Sequence, residues 1–115
     1  MSITALINKL NTEPATVNFN DVINVIETNY NYQPTRFING DAVNEAATNE
    51  GSCKIFAFAL LNKLSTQNTL ACFGQYYRDD VLLNPQGDDH ANIRNFMVTG
   101  WEGISFDDAA LVLKG

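Results

Sequence analysis

Three groups of residues in this chain have types and spacing that could do chemistry. The first is built on Cys53, in Asn49-Glu50-Gly51-Ser52-Cys53-Lys54. This polar opening leads into an apolar run that reads as a helix. A thiol at a helix start has its pKa lowered by the macrodipole and the free N–H groups. His90 and Asn92 follow later, and Cys, His, Asn is the chain order of several thiol hydrolases. That chemistry needs the imidazole to take the thiol proton and the amide to orient the imidazole. Two observations oppose it. The stretch from Cys53 to His90 reads as helix throughout, with no strand to present the histidine. Cys53 is also in register with the apolar face, as a small buried hydrophobe would be. No catalytic residue is therefore assigned, and Cys53, His90 and Asn92 are the candidates if catalysis exists.

The second group is acidic: Asp79, Asp80, Asp88, Asp89 and His90, with Glu45 and Glu50 elsewhere. Carboxylates and an imidazole can hold a divalent cation. No EF-hand or HExxH spacing is present, so no metal site is expected and no cofactor is implied. The third group is polar and aromatic. Tyr30, Tyr32, Tyr76, Tyr77, Arg78, Asn92, Arg94, Asn95 and Trp101 suit a protein contact, where tyrosine, tryptophan and arginine carry binding energy. Arg78 and Arg94 could equally pair with Glu45, Glu50 or Asp79 and fasten helices together. Two dense polar clusters each precede an apolar helix: Asn49, Glu50, Ser52, Lys54, and Asp88, Asp89, His90, Asn92, Arg94. Two helix starts brought together would make an anion or carboxylate site. The binding residues expected on these grounds are Glu50, Ser52, Lys54, Arg78, His90, Asn92, Arg94 and Trp101. An Arg94–Glu50 pair locking the helices is the structural alternative.

The elements that position these groups follow from periodicity. Ser2 caps a helix from Ile3 to about Asn11, and Asn18 caps another that runs to about Asn29. Asn29 to Pro34 reads as a turn-prone passage. Asn39-Gly40 between short apolar segments predicts a hairpin with a type I′ turn. Gly103 to Phe106 alternates correctly for a third strand. From Cys53, Phe56, Ala57, Leu60, Leu61 and Leu64 recur at helical spacing, while Ile55, Phe58 and Ala59 cover the opposite side. A helix apolar nearly all round is enclosed by others, so Leu60→Ala is expected to cost about 2–5 kcal/mol. Ser65 caps a helix to about Phe73, and a further helical piece covers Gln75 to Leu83. The last helix, His90 to Thr99, is capped by Asp88 or Asp89 and buries Ile93, Phe96 and Met97. The fold class is mainly α: a compact domain around a central buried helix, with a small antiparallel hairpin or three-stranded sheet.

The chain has 115 residues, one domain's worth, and its 45% hydrophobic content can bury a core. A net charge of −6 with seven Lys and Arg excludes a basic nucleic-acid surface. No run approaches the length of a membrane span. Cys53 and Cys72 fall on helices, and a reducing compartment keeps them free thiols.

The motifs NEGSCK, ACFG-x-YYR and H-x-NIRNFM-x-x-GW, with NYNYQPTRFINGDAVNE before them, resemble the HopJ type III effector family over about residues 19–106. The resemblance implies a small single-domain bacterial protein, associated with the secretion machinery that delivers effectors into host cells. It brings no settled activity, cofactor or catalytic residue. Together these observations point to an effector-like protein of the bacterial cytoplasm, open to secretion, that binds a protein partner without catalysis. A thiol hydrolase using Cys53 and His90 and a cytoplasmic ligand-binding domain are the alternatives.

Overall fold

The computed structural model describes all residues, Met1–Gly115. Helices α1 (Ile3–Thr12), α2 (Phe19–Asn29), α3 (Glu50–Leu61), α4 (Thr66–Ala71) and α5 (Ala91–Thr99) surround one core, with a π-helix at Tyr76–Val81. Five short strands form two sheets: β1 (Tyr30–Tyr32) with β5 (Leu111–Leu113), and β3 (Ala42–Asn44), β2 (Phe37–Asn39) and β4 (Ile104–Phe106) in that spatial order. All pairs are antiparallel. The mainly α reading and the three-stranded sheet hold.

The α3 helix is the centre. Ile55, Phe56, Phe58 and Ala59 have no exposed surface, and Cys53 only 2%. Phe56 meets the rings of Phe37, Phe73 and Phe96 at centroid separations of 5.9, 5.4 and 5.0 Å. These rings come from β2, from the turn after α4 and from α5, so one side chain joins three parts of the fold.

The far end of α3 differs from expectation. Leu60 and Leu61 are 52% and 55% exposed, and the helix stops at Leu61 rather than Leu64. Periodicity identifies the apolar positions of a helix but not which of its turns a neighbour covers. Leu60→Ala is therefore expected to cost about 1 kcal/mol or less, read as a small shift in thermal melting. A loss of several kcal/mol would place Leu60 in the core after all. Met97 is likewise 42% exposed, and Asn92 joins Ile93 and Phe96 on the buried face of α5.

The hairpin forms with a different turn. Asn39 pairs with Ala42, so Gly40-Asp41 is the loop and Asn39 lies in the strand. Of the two loop residues only Gly40 has a positive φ, +63°, which excludes the type I′ turn. The β1–β5 pair is unanticipated: Tyr30–Tyr32 is strand rather than turn, pairing with a segment at the other end of the chain.

Both cysteines are free and buried. Burial pushes the Cys72 thiol up to about 12. A thiol-specific reagent at neutral pH should leave the native protein unlabelled and label it fully once unfolded, since the thiolate is the nucleophile. Labelling of the native fold would contradict this burial.

Candidate functional site

The helix starts of this fold fall into two kinds. Ser2, Asn18 and Ser65 cap α1, α2 and α4 in the ordinary way, extended in backbone and accepting from Ala5, Asp21 and Asn68 N–H. The starts of α3 and α5 are different. Their N-cap residues, Asn49 (φ 30°, ψ 49°) and His90 (φ 51°, ψ 51°), are left-handed, and neither gives its helix a side-chain cap. A left-handed non-glycine residue costs of order 1 kcal/mol and collects at functional positions. Asp88 and Asp89, the expected caps of α5, do not cap it.

The would-be caps are engaged elsewhere. Asn49 Nδ2 donates to Asn44 Oδ1 at 2.7 Å, and His90 Nε2 lies 2.9 Å from Asp80 Oδ2. The first N–H groups of both helices are left without intrahelical acceptors, as at any helix start.

These two starts open on one cleft. Its volume is about 510 Å³, and Asn49, Gly51 and Ser52 of the α3 start face Ala91, Asn92 and Ile93 of the α5 start across it. The aromatic wall is Phe19, Tyr76 and His90. Phe19 meets Tyr76 edge-on at 5.0 Å, and Tyr76 lies against His90 at 5.4 Å. The π-helix sets this wall. Its wide turn, seen in the Leu82 N–H donating to Tyr77 O, brings both Tyr76 and Asp80 against His90.

Beneath the cleft lies a network of asparagines. Asn92 Oδ1 accepts from Asn39 Nδ2 at 3.0 Å and Asn44 Nδ2 at 3.1 Å, and Asn92 Nδ2 donates to Asn44 Oδ1 at 2.9 Å. Asn39 Nδ2 also donates to Asn92 O at 2.8 Å. Asn39, Asn44 and Asn92 are buried, so this network ties β2, β3 and α5 together and reaches α3 through Asn49. Asn39 Oδ1 is the one buried side-chain oxygen without a protein partner.

Of the residues singled out by sequence, Asn49, Ser52, Tyr76, His90 and Asn92 line the cleft. The others do not. Glu50 accepts from the Tyr32 hydroxyl at 3.2 Å. Lys54 pairs with Glu27 at 3.0 Å and stands over the Tyr32 ring. Arg78 donates to Pro14 O at 3.4 Å and borders a separate cavity of about 240 Å³. Trp101 is a structural peg, its indole donating to Leu64 O and its ring set edge-on to Phe96. Arg94 pairs with Asp89 at 2.6 Å and donates to Asn84 O, so the alternative, an Arg94–Glu50 lock, does not form. Phe19 and Asn44 are not foreseen as site residues; an Asn at a strand end facing the same way as a core Phe is the available signal for Asn44.

Cys53 and His90 have separate partners. The Cys53 thiol donates to Thr35 O at 3.6 Å, and burial raises its pKa, the reverse of the lowering expected at a helix start. Burial also raises the neighbouring Tyr32 phenol, with Cys53 and Glu50 adding to it.

Asp80, Asp89 and His90 place their ligand atoms within 4.8 Å of one another. Each already has a protein partner: Asp80 and His90 hold each other, and Asp89 holds Arg94. The Arg94 hydrogen bond keeps the Asp89 carboxyl below its ordinary value of 3.8. The sign follows from that direction. The stability this pair adds is present above the ordinary Asp pKa and is lost as pH falls through the lower folded value. The remaining members of the acidic set, Asp79 and Asp88, lie outside the cluster.

No helix is long and apolar enough to cross a membrane. A family model described as "HopJ type III effector protein" matches residues 3–111. A solved crystal structure, described as the unknown function protein VPA0580, is 53% identical with a TM-score of 0.97. The match covers 99% of this chain and 95% of that one. A search of curated proteins gives no match.

Proposed function

Because this chain belongs to the HopJ type III effector family, we propose that it works by binding a partner protein, without a catalytic centre, and that the cleft holds an acidic group of that partner. In this reading it is made in the bacterial cytoplasm and delivered by type III secretion. One observation carries the binding site: the two α-helices without a side-chain cap are the two that begin at the same cleft. Each helix start contributes roughly half a positive charge and free N–H donors, so two make about one unit aimed at a single ligand. The nearby carboxylates oppose this weakly, because Asp80 faces His90 and Asp89 is held by Arg94. Ser52 adds a hydroxyl, and the aromatic wall covers the apolar stem of an Asp or Glu.

The test is Ala91→Glu. Ala91 is the first residue of α5, exposed and lining the cleft. A carboxylate there favours the helix by about 0.3–1 kcal/mol while occupying the proposed site. The expected result is an unchanged or raised melting temperature together with loss of binding to a fluorescent Asp/Glu-rich peptide. Full binding by the variant would remove the cleft from the account.

A second reading, a ligand-binding domain, is favoured by the cleft's volume, about 510 Å³, which falls within the range of small-molecule pockets. Free dicarboxylates that compete with the peptide at equal concentration of acid groups would favour it.

A further inference from the structure

We propose that the cavity between the Pro14–Thr16 turn, α4 and the π-helix is a second binding site, built on Arg78, for a small monocarboxylic acid with an apolar stem. It shares no residue with the cleft and stands independently of it. The chain has three arginines. Arg36 holds Glu45 and Asp107, and Arg94 holds Asp89. Arg78 is half-buried and forms no ion pair. Its protein partner is Pro14 O, which accepts from Nη1 at 3.4 Å. That bond leaves the Nε and Nη2 edge free, two parallel N–H groups at the spacing a carboxylate accepts in bidentate fashion. A partly desolvated guanidinium with free donors gains more from an anion than one in open water.

The lining defines the occupant. No carboxylate lines the cavity, so nothing in the protein neutralises Arg78 there. Gln67 of α4 brings an amide and Tyr77 of the π-helix a hydroxyl to the same space. Neither side chain has a protein hydrogen bond. The π-helix that sets Tyr76 against His90 in the cleft places Tyr77 and Arg78 here. Pro14, Ala15, Ala71 and the Tyr77 ring supply apolar wall. One cation with two neutral groups matches a single negative charge. A phosphate group, at about −1.5 to −2 near neutral pH, leaves charge unmatched on a chain of net charge −6. The volume, about 240 Å³, is below the range of drug-sized pockets, so the acid is small. Acetate reaches the guanidinium edge but covers almost none of the apolar wall. A compact ring or branched stem covers it and gains from the burial.

The experiment titrates isotope-labelled protein with benzoate at constant ionic strength and mildly acidic pH, reading the Arg78 Nε–H and Gln67 side-chain amide resonances. The controls are benzamide, with the same stem and no charge; acetate, with the charge and almost no stem; and inorganic phosphate. The expected result is saturable shifts at Arg78 and Gln67 with benzoate and none with acetate or phosphate at these groups. Benzamide should bind at least about tenfold more weakly, the loss of a charge-assisted pair. Arg78→Gln removes one long hydrogen bond, so it should melt like the parent while benzoate binding falls at least about tenfold. Gln67→Glu, at an exposed position of α4, puts a competing carboxylate into the same cavity and should block benzoate with the fold intact. Ala91→Glu, in the cleft, should leave benzoate binding at Arg78 unchanged, so the two sites are read separately. Equal binding of benzamide, saturation by acetate or phosphate, indifference to Arg78→Gln or Gln67→Glu, or no saturable shift at Arg78 would overturn the proposal.

Discussion

Phe56→Ala is expected to lower stability by about 3–5 kcal/mol, the cost of removing a buried aromatic side chain and leaving its cavity. Phe56 has no exposed surface and touches three other rings, of which Phe37 and Phe96 are also fully buried. Those rings are fixed by β2 and α5, and neither can move inward without breaking its own contacts. The cavity therefore collapses poorly. Against a total of about 5–15 kcal/mol for an ordinary domain, this is a large fraction, and chemical denaturation reads it directly. A loss below about 1 kcal/mol would show that α3 is not the element the core is built on.

Asn92→Ala is expected to cost about 2–4 kcal/mol, through desolvated amides rather than lost volume. The change leaves Asn44 Oδ1 with Asn49 as its remaining donor, Asn39 Nδ2 with the Asn92 backbone carbonyl, and Asn44 Nδ2 with only the Ala42 carbonyl at 3.5 Å. Buried polar groups that lose one of their partners cost more than the bond itself contributed. The network explanation is separated from simple packing by a double-mutant cycle. Asn44→Ala and Asn92→Ala should be strongly non-additive, the second change costing little once the first is made. Additive losses would reduce the network to independent contacts.

Local signals were the legible part of this chain. Ser2, Asn18 and Ser65 cap helices because the cap is a contact within three residues. The hairpin and third strand follow from alternation and a glycine. The β1–β5 pair was not legible, since strands of three residues carry almost no pattern and their partner lies across the whole chain. The exposure of Leu60, Leu61 and Met97 also depends on which neighbours reach them. The polar clusters opening α3 and α5 mark the two helix starts that meet at the cleft, which is why Ser52, His90 and Asn92 share its lining. The bare N-termini were hidden, because Asn49 is a good cap by type and only its tertiary bond to Asn44 diverts it.

The most direct measurement is an amide chemical-shift titration with acetate and with inorganic phosphate at constant ionic strength. The account predicts that the largest, saturating shifts fall on the N–H groups of Glu50, Gly51, Ser52, Ala91, Asn92 and Ile93, the two starts that line or flank the cleft. Matching shifts at the capped starts of α1, α2 and α4, or none at these six, would contradict it.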